Sequence, residues 1–264
     1  MNALIGFSGF VGTTLMAQKT FEKLYRSSNI SEIEGQKFDL VVCAGAPAQK
    51  WIANKNPEED WKNIENLICH LGKITCDRFV LISTVDVFRN PVEVDETTAI
   101  QEEGLHSYGL HRWRLEKFVK KQFSRHLIIR LPGLVGPGLR KNVVFDFLNN
   151  NNLNLVDSRS VFQFYPMDKF WDDISHVLES NINLIHFTAE PISVSEIAEK
   201  GFEIMFNQEL SNKAFVRYDL QTIHATLFGS ETRYQYSIDD SVLAIKAYAN
   251  SEPVGIHFKN EGSS

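Results

Sequence analysis

The chain is poor in several features that would assign it quickly to a class. It has three cysteines, Cys43, Cys69 and Cys76, an odd number with no metal-ligand spacing. That excludes a disulfide-stapled scaffold and a cysteine-based metal site; reduced, mostly buried thiols in a cytoplasmic protein are the expectation. No apolar run approaches the roughly 18 residues that cross a bilayer. No Lys or Arg precedes the apolar N-terminus, so it does not read as a signal peptide, and no membrane is expected. There is no basic excess either. The net charge is -6, which argues against nucleic acid, whose recognition needs clustered Lys and Arg. Internal repeats are absent, and Asn149 to Asn152 is a local loop rather than a tract. His106 and His111 stand at a helix start and read as solvated residues, so no metal is expected.

What is present is an ordinary globular composition over 264 residues, enough to bury a large core without staples. The length suits one domain with an elaboration, or two domains sharing a core. The most informative stretch is the start. A short apolar run, Ala3-Leu4-Ile5, leads straight into Gly6, Gly9 and Gly12, and an amphipathic stretch from Thr13 to Lys19 follows. Strand, glycine turn and helix in that order can seat a dinucleotide diphosphate. Gly6 allows a tight turn, Gly9 lets backbone approach a phosphate, and Gly12 lets the helix pack on the strand. The helix N-terminus then offers free N–H groups and the positive end of its dipole.

Phe21 to Arg26 reads as a second strand. In this arrangement its end, about 20 residues past the first glycine, meets the adenosine ribose. An acid there would accept a bond from a 2′-hydroxyl; Arg26 and Ser27 stand there instead, which favours NADP over NAD. Phe38 to Cys43 and Arg78 to Ser83 are buried parallel strands, the second continuing through Thr84 to Phe88. Pro57 and three acids open a helix whose apolar face is Trp61, Ile64, Leu67, Ile68 and Leu71. Asn90 to Ser107 is a long loop, Tyr108 to Gln122 a helix, and His126 to Leu131 a strand. Val143 to Leu148 and Asp172 to Leu178 read as helices, and Leu184 to Phe187 as a last strand. This alternation predicts an α/β fold, a doubly wound parallel sheet spanning residues 1–188. Residues 189–264 are expected to form a smaller cap over the carboxyl ends of the strands. It opens on a capped helix at Ser193, with further helical stretches at Asp219 to Phe228 and Ser237 to Tyr248 and a mobile tail from Ser251.

Three separated pieces, the glycine turn, Thr84 beyond a strand and Tyr108-Gly109-Leu110-His111-Arg112 at a helix start, carry a resemblance. The chain resembles the extended short-chain dehydrogenase/reductase family, the NAD(P)-dependent epimerase/dehydratase type acting on nucleotide sugars, which has a Rossmann fold. The similarity runs from Met1 to about Gly138 and weakly through Phe162 to Asp168. The resemblance implies that Gly6, Gly9 and Gly12 form the cofactor's diphosphate turn, with Ser8, Phe10 and Val11 also binding the cofactor. It places Ala44 and Gly45 beside the adenosine side and Leu131 and Gly133 beside the nicotinamide, and it adds Ala46, Asn63 on the following helix and Ser83 on the strand of the substrate hydroxyl to the cofactor-binding residues. It assigns Tyr108 as catalytic tyrosine, Thr84 as the hydroxyl sharing its substrate oxygen, and position 112 as a cation touching ribose. Asp86, Arg140 and Gln163 fall where substrate contacts are expected. A homodimer through Trp61–Leu71 and Tyr108–Gln122 is the family expectation.

Two departures bear on activity. The family's Tyr-x-x-x-Lys has Arg112 in place of lysine, and Val85 replaces the acid that dehydratases carry after the threonine. A tyrosine acting as base near neutrality needs its pKa lowered by roughly 2–3 units, about 3–4 kcal/mol. A unit cation at roughly 4 Å supplies about 4 kcal/mol at an effective dielectric of about 20. One well-placed cation is therefore about enough, and arginine is always charged. Three readings stay open: an NADP- or NAD-dependent oxidoreductase or epimerase of a nucleotide-activated sugar, a catalytically impaired dinucleotide sensor or interaction protein of the same fold, and, more weakly, a reductase of small non-sugar carbonyls. The aromatics Phe162, Phe164 and Tyr165 are expected in the core.

Overall fold

In the computed structural model, described over residues 1–211 and 214–252, the chain folds around a six-stranded parallel sheet. Its strands in chain order are β1 (Asn2–Ile5), β2 (Lys23–Tyr25), β3 (Lys37–Cys43) and β4 (Thr75–Thr84). After the short β5 (Val92–Val94) come β6 (His126–Leu131), β7 (Gly133–Val135), β8 (Val161–Phe162), β9 (Phe164–Pro166) and β10 (Leu184–His186). The main sheet runs β10-β6-β4-β3-β1-β2. The chain winds outward in one direction from β1 to β2 and in the other from β3 onward. The crevice between the carboxyl ends of β1 and β3 is therefore the topological switch point, where open α/β sheets take their ligands.

The apolar runs read as buried parallel strands are buried because helices cover both faces of the sheet. Strand alternation divides them cleanly. Ala3, Ile5, Val41, Cys43, Phe79, Leu81 and Ile128 point into one core, and Leu4, Val42, Val80, Ile82, Leu127 and Ile129 into the other. The first core is closed by α3 (Pro57–Leu71) and α4 (Ser107–Gln122), which follow the short α2 (Lys50–Lys55). The second is closed by Leu15 of α1 (Phe10–Gln18) and by Phe170, Ile174 and Val177 of α6 (Phe170–Leu178). At roughly 25 cal/mol per Å² of apolar surface removed from water, each such Leu, Ile or Phe stabilises the fold by about 1.5–3 kcal/mol.

A third cluster joins Val135, Val143, Val144 and Phe147 to Ile192, Val194, Val242 and Ile245. Here α5 (Val143–Asn149) packs with β11 (Ile192–Ser193), α7 (Val194–Glu196) and α8 (Ile238–Ser251). Ser193 and Ser237 both begin helices with reciprocal capping boxes. The expected Asp219–Phe228 helix is absent: β12 (Asp219–Leu220) pairs with β5 instead, and only Ala225–Phe228 coils, as a 3-10 turn. β12 and β5 therefore bridge the loop after β4 to the C-terminal segment. The tail from residue 253 lies outside the described residues. The thiols are free, but only Cys43 is fully buried; Cys69 is exposed.

Candidate active site

The cleft at the switch point has a volume of about 830 Å³. On its cofactor-like side, Gly6 leaves β1 at φ +86, a left-handed conformation that disfavours any side chain. A Cβ on Gly12 would lie 2.1 Å from the Gly6 carbonyl oxygen. Gly12 is therefore a packing residue between helix and turn and does not line the cleft. Gly9 does line it, and a Cβ there would meet nothing closer than 3.5 Å. Packing within the protein does not require a glycine at that position; its bareness keeps the end of α1 open. Gly9 caps α1 with no side-chain hydrogen bond, so the first-turn N–H groups remain available to an anion.

Ser8, Phe10 and Val11 line the same wall, as do Arg26 and Ser27 at the end of β2, Ala44, Gly45 and Ala46 after β3, and Asn63 on α3. The Arg26 Nε donates to Ser28 Oγ at 3.0 Å, and its guanidinium sits 5.7 Å from the Phe7 ring centre. Ser83, Leu131 and Gly133 form the floor. Beneath the floor, Ser83 donates to Glu116 at 2.5 Å, and Glu116 is forked by Arg130 at 2.7 and 3.0 Å with both side chains buried.

Thr84 ends β4. Its hydroxyl accepts from the Asp86 N–H at 3.1 Å and turns Val85–Val87 into a 3-10 turn, so the strand does not continue to Phe88. The start of α4 is pressed onto that turn. A Cβ on Gly109 would stand 2.0 Å from the Asp86 carbonyl oxygen; only glycine permits this approach, and it brings Tyr108 beside Thr84. His106 caps α4, its Nδ1 accepting from the Gly109 N–H at 3.0 Å. Tyr108 is 8% exposed. Burial raises its pKa above the ordinary 10, Arg112 and Thr84 pulling against that and Asp86 adding to it. The phenol is thus protonated at neutrality.

Arg112 is not the free cation that the sequence suggests. Its guanidinium lies 4.0 Å from the Tyr108 ring centre. Both terminal nitrogens are engaged: one donates to Asp60 Oδ2 at 2.5 Å and the Tyr108 carbonyl at 3.2 Å, the other to Asp60 Oδ1 at 2.9 Å and the Pro47 carbonyl at 2.5 Å. His111, expected to be solvated, is buried and bound to the same carboxylate at 2.7 Å. Arg112 lines the cleft, and its Nε is buried and without a hydrogen-bond partner. That orphan donor, the open end of α1 and the bare Gly9 leave this wall with donors and room suited to an anionic, hydroxyl-bearing group such as a dinucleotide.

The substrate side differs more from expectation. Asp86 lines the cleft, but Arg140 does not; its neighbour Lys141 does, with its ammonium on the Ala48 carbonyl. Gln163 reaches the wall, yet its amide is spent on the backbone of Ala189 and Leu220. Phe164 and Tyr165 are core residues, whereas Phe162 lines the cleft and stacks on Tyr218 at 5.8 Å. Sequence reasoning missed Lys50 and Tyr218. Lys50 Nζ donates to Asp86 Oδ1 at 2.6 Å and to the Tyr218 hydroxyl at 3.1 Å. No local pattern marks either residue; they meet only because β12 docks on β5.

No family model matches the chain, and no curated protein matches it. Solved structures do. A dTDP-4-dehydrorhamnose reductase from Clostridium acetobutylicum is 16% identical with a TM-score of 0.70, over 95% of this chain and 99% of that one. A UDP-glucose 4-epimerase from Thermotoga maritima, solved with UDP-glucose, is 16% identical with a TM-score of 0.70, over 95% and 98%. A dTDP-4-dehydrorhamnose reductase from Bacillus anthracis in complex with NADP is 15% identical with a TM-score of 0.69, over 95% and 98%. The fold is therefore the Rossmann-type α/β fold of these proteins along almost the whole chain.

Proposed function

We propose that the chain is an NAD(P)-dependent oxidoreductase or epimerase acting on a nucleotide-activated sugar, with NADP the favoured cofactor. The observation that carries this reading is the convergence of Tyr108, Thr84 and the open glycine turn on one cleft at the switch point. The structural neighbours, which include an NADP complex and a UDP-glucose complex, support the same substrate and cofactor classes. The dinucleotide would be held by the end of α1, by Gly9, by Arg26 and Ser27, and by the Arg112 Nε; when bound, its nicotinamide supplies or accepts a hydride. Tyr108 exchanges a proton with the sugar oxygen, and the Thr84 hydroxyl holds that oxygen in line. The buried phenol is the acid in the reductive direction, the sense in which its raised pKa is no hindrance.

A second reading has its own support. Arg112 is neutralised by Asp60 and does not bring the phenol below its usual range, as a cofactor-binding protein without turnover would tolerate. Nicotinamide fluorescence on titration with NADPH and NADH, followed by turnover of a panel of UDP-hexoses and dTDP-4-dehydro-6-deoxyhexoses, separates the two. The enzymatic reading expects Tyr108→Phe to lower kcat about 100-fold or more while leaving cofactor affinity unchanged. Tight NADPH binding with no turnover across the panel selects the second reading.

A further inference from the structure

This inference rests on the reading that Tyr108 exchanges a proton with a bound sugar. A phenol in that role needs a cation free to act on it and a group that returns its proton. Arg112 supplies part of the first, since its charge lowers the phenol's pKa, but not the second. Its terminal nitrogens are committed to Asp60 and two carbonyls, and a guanidinium does not release its proton in a protein.

The charged groups around Tyr108 come from several elements: His106 capping α4, Arg112 on α4, Asp60 on α3, Asp86 on the turn after β4, Lys50 on α2, and Lys141 before α5. Arg112 and Lys141 are tied to backbone carbonyls. Lys50 is held differently, by two side chains that also line the cleft: Asp86, and Tyr218, whose hydroxyl donates to the same Asp86 oxygen at 3.1 Å. The Lys50 side chain is 39% exposed and the Asp86 side chain 15%, so the amine stands at the boundary between solvent and cleft. Burial lowers the Lys50 pKa, but Asp86 and Tyr218 outweigh it and keep the group an ammonium.

We propose that Lys50 is the proton-returning cation of this site, parked on Asp86 and Tyr218 at rest and handing a proton to Tyr108 after the phenol has given up its own. In that step an N–H bond of the ammonium breaks, its electron pair stays on nitrogen, and a lone pair of the tyrosinate forms the new O–H bond. The products are a neutral amine and a phenol, and the amine takes its next proton from water at the mouth. Lysine's flexible four-carbon stem makes the transfer possible where arginine's fork does not. Asp86 and Tyr218 are positioning residues.

The test has two arms. The first needs neither cofactor nor substrate: ring-carbon NMR of labelled tyrosine follows Tyr108 against pH in Asp86→Asn and in Lys50→Met/Asp86→Asn. With the opposing carboxylate gone, Lys50 adds its unpaired charge to that of Arg112 on the phenol, so the double variant titrates about one unit higher or more. Midpoints equal within about 0.2 unit overturn the proposal. The second arm is turnover of the sugar panel. Lys50→Met lowers kcat about 100-fold with NADPH affinity unchanged, and added ethylamine restores activity to Lys50→Ala. Lys50→Arg keeps the charge without a transferable proton and stays impaired; full activity in Lys50→Arg overturns proton return. If the wild-type protein turns over none of the sugars, the enzymatic reading has failed, and the first arm still decides whether Lys50 serves Tyr108.

Discussion

Replacing Asp60 by asparagine removes the charge that matches Arg112 without changing the shape of the side chain. The Arg112 and Asp60 side chains are 3% and 4% exposed, so solvent screens neither, and the small values measured for surface pairs do not apply. Breaking a buried pair by removing one partner costs about 3–5 kcal/mol, because it strands the other charge. Asp60→Asn also disturbs the bond to His111. Domains unfold with about 5–15 kcal/mol, so this single change should remove at least about a fifth of the stability. Urea unfolding monitored by circular dichroism, with the slope checked for constancy, measures the loss. The companion variant Arg112→Met/Asp60→Leu removes both charges and should recover most of it, since apolar replacement of a buried pair is often neutral. A loss under about 0.5 kcal/mol in Asp60→Asn, or a double variant no more stable than the single, would refute the view of Arg112 as a strut joining α3, α4 and the loop after β3.

Three further outcomes are expected. Arg26→Ala should weaken NADPH about tenfold or more and NADH less than about twofold, by fluorescence titration, as loss of one charge-assisted phosphate contact predicts; equal losses would remove Arg26 from the phosphate assignment. Gly12→Ala drives a methyl into the Gly6 carbonyl, and should displace α1, lower the melting temperature and cost about 100-fold in dinucleotide affinity. His186 is buried with its pKa lowered to about 4, burial being the main cause. The unfolded chain binds its proton near 6.5 and the folded chain only near 4, so stability is complete above pH 6.5 and falls as the pH drops toward 4. Between pH 7 and pH 5 the loss should be about 2 kcal/mol, and His186→Gln should abolish that share of the pH dependence in urea titrations at the two values.

The fold was largely legible. Three glycines after an apolar run, and apolar runs alternating with amphipathic helices, report local geometry and burial on both faces of a sheet, and such properties are written in neighbouring residues. β6 was read to the residue, because its apolar run is bounded by Ser124-Arg125 before it and Pro132 after it. The helix expected over Asp219 to Phe228 failed for the converse reason. Asp219 and Leu220 find their partners in a strand more than a hundred positions away, and pairing with β5 overrides a helical pattern.

The candidate site divides along the same line. Sequence by itself determined the glycine turn, the residues at the ends of β3, β4 and β6, and the placement of Tyr108 one turn before Arg112, all set by chain-local spacing. Only the tertiary structure decided what those groups can do. The fork from Arg112 to Asp60 joins residues 52 apart in the chain, and the contact of Lys50 with Tyr218 joins residues 168 apart. Charges act through space, and burial fixes how strongly they act. Whether a cation is free, neutralised or poised therefore depends on which helices the sheet brings side by side.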